Sequence, residues 1–179
     1  MKKVFLFLAA TTLFLSCTKQ TNRAGIDKVL SQSNKSIQKE MYGKLTPTEK
    51  FTIWDDKFSK VLETGTLTKE QREFIEQLKS TLSVHTFEKL ATGADLYKQQ
   101  IIKLFGWKQG YEIFASVNSE SYIDSDFSNG GGYDCMCSHS SDYCDRGSIC
   151  STGITCNSSV MGCGTLLVFA CDGQCWFPN

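Results

Sequence analysis

Closely spaced cysteines are the residues of this sequence with the clearest potential for chemistry. The stretch CMCSHSSDYC, from Cys135 to Cys144, holds three of them among Ser, Asp and His side chains, and five more follow before the chain ends. Such a set can ligate a metal, form a reactive thiol centre or pair as disulfides. The cellular compartment decides among these uses, because disulfides persist in oxidising surroundings and are rare in the cytosol.

The start of the chain indicates export. Lys2 and Lys3 precede a largely apolar run of twelve residues, 4–15, which has the length of a secretory signal. A membrane-spanning helix would need roughly 20 residues. The run ends in LFLSC, which resembles a relaxed bacterial lipobox. We therefore predict a signal peptide over residues 1–16 and a lipidated Cys17, whose diacylglycerol and acyl chain (palmitate, for example) anchor the exported protein to a membrane of the cell envelope. An ordinary signal peptide with an incidental cysteine is the alternative.

The number of cysteines supports this assignment. The chain has nine, and an odd thiol in an exported protein needs an explanation. Assigning Cys17 to lipid leaves eight that can all pair. The residues predicted to form disulfides are Cys135, Cys137, Cys144, Cys150, Cys156, Cys163, Cys171 and Cys175.

Metal binding and thiol catalysis are the other uses to consider. Cys135, Cys137 and His139 could supply part of a zinc or copper site in a reducing compartment. Structural zinc sites usually have two knuckles in which two to four residues separate the cysteines, and this segment has one such spacing, Cys171 to Cys175. A Cys-x-x-Cys redox pair is absent from the sequence. We expect no metal and no cofactor.

The composition changes near residue 120. Residues 18–120 hold 16 basic and 13 acidic residues and no cysteine, whereas residues 121–179 hold one base, Arg146, and six acids. The net charge of zero therefore conceals parts of +3 (16 − 13) and −5 (1 − 6), with two further lysines in the signal. Neither part has the basic density of a nucleic-acid-binding protein, so we expect no nucleic-acid partner.

The cysteine-free part contains two sequence signals for the start of a helix. In TPTEKF, Thr46 is placed to cap a helix, Pro47 suits its first turn, and Glu49 can complete a capping box. In TKEQ, Thr68 and Gln71 have the same arrangement. Apolar residues at helical spacing follow each signal, and they predict two amphipathic helices.

Two more apolar stripes complete the α-helical bundle that we predict for residues 17–120. The first predicts a helix from Ile26 to Met41, and the last runs from Phe87 to Phe105 with an interruption at Gly93. The larger aromatic residues are expected to pack in the core. The alternative is that they line a groove for another helix or for the chain's own C-terminal part. They are Trp54, Phe58, Tyr97 and Trp107.

The C-terminal part is predicted to be a small disulfide-rich module. Residues 121–134 are acidic and glycine-rich, which is typical of a linker. Residues 135–179 contain one apolar run, 166–170, and are too few to fold on an apolar core alone. We predict little regular structure there apart from a short β-hairpin that turns at Asp172-Gly173. The module and the helical part are expected to fold independently.

Local geometry excludes two pairings among the cysteines. Cys135 and Cys137 are separated by one residue, so their side chains point to opposite faces of an extended chain. Cys171 and Cys175 also face opposite sides if the predicted hairpin forms. The other pairings remain open.

Four blocks of the module resemble the fulvocin C-related family of bacteriocins. They are a Cys-x-Cys-Ser opening at Cys135, a Ser-Asp-Tyr-Cys block ending at Cys144, CSTGITC starting at Cys150, and GCGT starting at Gly162. The resemblance covers the last quarter of the chain. It implies a disulfide-stapled domain related to bacteriocins, preceded by a helical region.

These observations together predict a non-enzymatic lipoprotein that acts in interbacterial antagonism through its module, either on the anchored protein or after release. With one Arg and no Lys, residues 135–179 lack the positive charge with which many peptides bind anionic lipid. A specific protein or envelope target is therefore expected, with an immunity protein as a candidate partner. The alternative is a surface binding module such as a protease inhibitor or an adhesin. No constellation for nucleophilic, acid–base or metal catalysis supports an enzyme.

Overall fold

The computed structural model describes residues 23–118, 135–144, 148–153, 156 and 159–176, without the side chains of residues 35, 36 and 159–161. The predicted signal peptide, the predicted lipidation site Cys17 and the predicted linker lie outside these residues.

Five α-helices form the first part of the chain, in agreement with the helical prediction. None of the helices in the described ranges is both long enough and apolar enough to cross a membrane. A 3₁₀ turn at Val84–Phe87 precedes the last helix. The helices are α1 (Arg23–Leu30), α2 (Lys35–Gly43), α3 (Pro47–Glu63), α4 (Lys69–Thr81) and α5 (Lys98–Phe114).

The predicted caps start α3 and α4. The Thr46 side chain accepts a hydrogen bond from the Glu49 amide at 3.3 Å, and the Glu49 carboxylate accepts one from the Thr46 amide at 2.8 Å. Thr68 and Gln71 form the same reciprocal pair at 3.2 and 3.0 Å. Both capping boxes are thus confirmed.

The single helix predicted from Ile26 to Met41 is wrong, because the chain breaks into α1 and α2. The Gln38 side chain donates hydrogen bonds to the carbonyl of Val29 in the last turn of α1 and to that of Gln32 just after the helix, both at 3.0 Å. The Asn34 side chain then caps the start of α2.

The helix predicted from Phe87 is also wrong in its first half. Residues 88–97 form an irregular connection, and α5 begins only at Lys98. The Asp95 carboxylate defines this start, because its Oδ1 accepts hydrogen bonds from the amides of Tyr97 at 3.0 Å and Lys98 at 3.2 Å. Tyr97 is 42% exposed and does not belong to the core.

Within its described residues, the module contains four short strands in two antiparallel pairs. One pair, β2 with β3, forms a hairpin around residues 164–168, and the other joins β1 to the distant β4. The hairpin predicted at Asp172-Gly173 is wrong, since the strands on either side of it belong to different pairs. The strands are β1 (Ile149–Ser151), β2 (Ser159–Cys163), β3 (Phe169–Cys171) and β4 (Gln174–Trp176).

Gly173 is required here for close packing and not for a hairpin turn. A β-carbon at this residue would lie 2.7 Å from the Cys150 sulfur and 2.7 Å from the Ser151 carbonyl oxygen. The glycine instead lets its backbone pair with Cys137: the Gly173 amide donates to the Cys137 carbonyl at 3.1 Å, and the Cys137 amide donates to the Gly173 carbonyl at 3.1 Å.

One apolar core joins the helices to the C-terminal module. Every helix contributes side chains to it, and Trp54, Phe58 and Phe114 are fully buried. The expectation that Trp54 and Phe58 pack in the core is confirmed. Four consecutive residues of the module complete the same core, and these are Leu166, Leu167, Val168 and Phe169. Because the two parts share a core, independent folding is no longer the expected behaviour.

Candidate functional site

The cysteines of the module pair in four disulfides. The Cα atoms of the bonded residues lie 5.1 to 5.8 Å apart, which is the normal range. Neither of the two pairs that local geometry excludes is formed. The bonds join Cys135 to Cys156, Cys137 to Cys150, Cys144 to Cys175, and Cys163 to Cys171.

The disulfides pack in two buried groups that replace an apolar core inside the module. In one group the sulfur atoms of Cys137, Cys144 and Cys150 lie within 4.8 Å of one another, a spacing that could hold a metal ion. A metal requires thiolates, however, and all three sulfurs are already bonded in disulfides. This group could therefore ligate a metal only after reduction. His139 is not part of it.

Two aspartates hold the backbone around these sulfurs. The Asp142 carboxylate accepts hydrogen bonds from the amides of Cys144 at 2.7 Å and Cys150 at 2.9 Å. The Asp172 carboxylate accepts one from the His139 amide at 2.7 Å. Both acids thus have structural partners.

The residues 164–169, which we call the apolar turn, project from the module into the helical part. The side chains at 166–169 are between 4% and 8% exposed, and they belong to the helical core and to neither cysteine group. Leu166 and Leu167 have positive φ angles of 59° and 54°. This conformation costs about 1–2 kcal/mol for each such residue. Strained backbone of this kind persists where its surroundings fix it, and here the surroundings are the helices.

The pocket that receives the turn binds its backbone. The Tyr42 hydroxyl donates a hydrogen bond to the Leu166 carbonyl at 3.2 Å and accepts one from the Trp54 indole at 3.0 Å. The Ala91 amide donates to the Val168 carbonyl at 2.9 Å. Burial raises the pKa of the Tyr42 hydroxyl well above its usual value, which keeps it protonated and able to donate.

Asp95 is the polar centre of the contact. Its Oδ2 accepts hydrogen bonds from the Ser141 hydroxyl at 2.5 Å and from the Thr165 hydroxyl, and its amide donates to the Ser140 carbonyl at 3.0 Å. The Thr165 amide donates to the Ser141 hydroxyl at 2.9 Å, and the Tyr143 hydroxyl lies 2.9 Å from the Thr165 hydroxyl. Two hydroxyl groups of the module thus meet one buried carboxylate of the helical part, and this network joins the two parts directly.

A lysine of α2 also binds the module. The Lys39 ammonium donates to the Met136 carbonyl at 2.8 Å and lies 3.6 Å from the Cys163 sulfur. Its aliphatic stem passes Gly162, where an added β-carbon would meet it at 3.5 Å. The module is therefore held at three points: the Tyr42 pocket, Asp95 and Lys39.

These three helical residues were not predicted as functional from the sequence. Tyr42 follows an apolar stripe and precedes a glycine. Asp95 is one of two acids, with Glu88, in the stripe that was assigned to a helix, and both of its neighbours in the chain are apolar. An acid in such an apolar setting was the one available signal. Lys39 gave none, because the surrounding sequence is rich in lysine.

Comparison with known proteins gives a match in the cysteine-rich C-terminal region. There, 41 residues are 46% identical to the bacteriocin fulvocin-C of Myxococcus fulvus, and they cover 91% of that protein and 22% of this chain. Through this segment the chain belongs to the fulvocin C-related family. No family model and no solved structure matches the chain. The resemblance seen in the four sequence blocks is thus confirmed for the cysteine-rich module.

Fulvocin-C is about as long as the module alone. The 41 matched residues make up 91% of it, so it has about 45 residues (41/0.91), the same number as residues 135–179. The helical part of this chain therefore has no counterpart in fulvocin-C. The relationship to a disulfide-rich bacteriocin indicates that the protein is exported.

Proposed function

We propose that this chain is a non-enzymatic, lipid-anchored protein of interbacterial antagonism and that the module is its active part. The observation that carries the proposal is the match to fulvocin-C, which spans 91% of that bacteriocin and falls on the part of this chain that the disulfides cross-link. An activity that belongs to the bacteriocin as a whole would then belong here to the module.

The charge of the module favours a specific target over general membrane disruption. Residues 135–179 hold three acids and one base, a net charge of −2 (1 − 3), and such a surface is not attracted to anionic lipid. Two of these acids, Asp142 and Asp172, bind backbone amides of the module. We propose a protein or another envelope component as the target.

The pairing of the cysteines supports the lipid anchor. All eight C-terminal cysteines are bonded to one another, so none is left to pair with Cys17 within the chain. A thiol at the end of a lipobox-like sequence is then free to receive lipid. We propose that this lipid holds the protein at a membrane of the cell envelope.

A growth-inhibition assay tests the proposal. The module is excised from the folded, oxidised protein at a protease site introduced between residues 118 and 135 and is separated from the helical part. It is then applied to a panel of bacteria before and after reduction and alkylation. We expect inhibition by the oxidised form only, because the module needs its cross-links to hold its shape. Equal activity of both forms contradicts the proposal. Inactivity of both across the panel also contradicts it and favours the alternative of a protease inhibitor or adhesin-like binding module.

A further inference from the structure

The helical part covers the most apolar surface of the module. The apolar turn contributes four consecutive residues, 166–169, to the core that it shares with the helices. A free module would expose this run to water, and contiguous apolar surface of that kind commonly marks an interaction site. Fulvocin-C has no room for a helical part of this size, so modules of this class occur without the cover that is present here.

The contacts to the turn have the character of a recognition site. Tyr42 and Ala91 donate hydrogen bonds to main-chain carbonyls of the turn. These two contacts therefore depend on the backbone conformation of the turn and not on its side chains. The Asp95 Oδ2 accepts hydrogen bonds from the hydroxyl groups of Ser141 and Thr165, and both residues belong to the module. The other oxygen of Asp95 binds the start of α5, so the carboxylate is held in place by the helical part itself.

The charges of the two parts are complementary. Residues 23–118 carry 15 basic and 12 acidic residues, a net charge of +3 (15 − 12), against −2 for residues 135–179. Opposite net charges speed the association of two proteins and favour the correct orientation. They would serve a module that is not covalently connected to the helical part.

We propose that the helical part is a neutralising partner for fulvocin-type modules. Its pocket around Tyr42 and Asp95 recognises the apolar turn, and it keeps the module bound and covered after the chain between them has been cut. This inference concerns binding and goes beyond the proposed antagonism, because it gives the helical part a role as an attached inhibitor.

The test uses the full mature chain with a protease site introduced between residues 118 and 135. The oxidised protein is cut to completion, and the two fragments are followed by size-exclusion chromatography and by a dilution series that measures their dissociation constant. We expect one complex at about 1 µM fragment concentration. Separation of the wild-type fragments under these conditions overturns the proposal.

Asp95→Asn is the decisive variant. The amide keeps an oxygen for the amides that start α5, but it turns an NH₂ group toward the hydroxyls of Ser141 and Thr165, where two hydrogen bonds had been accepted. We expect the dissociation constant to rise at least about tenfold. The matched control is Asp27→Asn, which changes a carboxylate that is 65% exposed and bound to Arg23 within the same helix. Equal dissociation constants in the two variants overturn the proposal.

Thr165→Val changes the same contact from the side of the module. It serves as a second variant, so that the test does not depend on the folding of Asp95→Asn alone. It keeps the shape of the side chain and removes the hydroxyl that Asp95 accepts. The double variant with Asp95→Asn should lose much less affinity than the product of the two single effects, because both changes break one contact. Fully multiplicative effects contradict the assignment. Since binding is measured without killing, failure here is distinct from failure of the proposed antagonism.

Discussion

Replacing Gly164 by alanine perturbs the apolar turn where it meets the rest of the module. The residue has φ of 72° and ψ of −168°. An added β-carbon would lie well inside van der Waals contact of the Ser141 side chain and 2.7 Å from a ring carbon of Phe169. Ser141 cannot retreat freely, because its hydroxyl is bonded to Asp95.

Gly106→Ala is a control, because Gly106 has nearly the same backbone angles as Gly164. Gly106, at the kink of α5, has φ of 71° and ψ of 169°, and no heavy atom lies within 4 Å of an added β-carbon. Both replacements force alanine into a conformation that essentially only glycine adopts, at about 1–3 kcal/mol each. The gain from restricting the unfolded chain is also common to both. The remaining difference is overpacking at Gly164, about 1–3 kcal/mol of unfolding free energy.

Urea unfolding of the oxidised proteins measures this difference. The signal is far-ultraviolet circular dichroism, which reports the helices, while the mutation at Gly164 lies in the module. Because the turn shares the helical core, Gly164→Ala should lower the helical midpoint more than Gly106→Ala does. A helical midpoint unchanged by Gly164→Ala, or equal losses in both variants, would refute the reasoning that the turn stabilises the helices.

Three further predictions follow from the sequence and the structure. Cys17→Ser should move the protein from the membrane fraction to the soluble fraction in cell fractionation; undiminished membrane retention would contradict lipidation. Reduction of the disulfides should lower the helical urea midpoint, because loosening the module disturbs a core it shares with the helices; an unchanged midpoint would show that the parts are independent. Burial raises the pKa of the hydroxyls of Tyr42 and Tyr143, so the folded state holds these protons more tightly than the unfolded state does. The free energy of unfolding should therefore be at its full value below about pH 10 and fall as the pH rises above it. In urea titrations, Tyr143→Phe should weaken this alkaline loss, and an identical pH profile would contradict it.

The parts of the fold that depend on neighbouring residues could be predicted from the sequence. The capping boxes at Thr46 and Thr68 form between residues three apart, so the pattern alone contains the interaction. The break between α1 and α2 could not be predicted in this way. It depends on hydrogen bonds from the Gln38 side chain to carbonyls six and nine residues earlier in the chain. The spacing of apolar residues, from which the helix was predicted, does not indicate such bonds.

The contact between the module and the helical part could not be predicted from the sequence for the same reason. Asp95 meets Ser141 and Thr165 across 46 and 70 residues of sequence, and nothing near Asp95 identifies those partners. The hairpin prediction failed because Asp172-Gly173 is a favourable turn sequence in isolation. In the folded module the glycine is needed where the chain passes the Cys150 sulfur, a contact that depends on the pairing of the disulfides.

The order of the disulfides along the chain gives the module a further property. The bond from Cys144 to Cys175 crosses the bonds from Cys137 to Cys150 and from Cys135 to Cys156, and it encloses the fourth bond. Every peptide bond between the first and the last cysteine therefore lies inside at least one covalent loop. A protease that cuts this segment once opens a loop without shedding any piece. A nicked module would therefore keep all of its residues on one covalent scaffold.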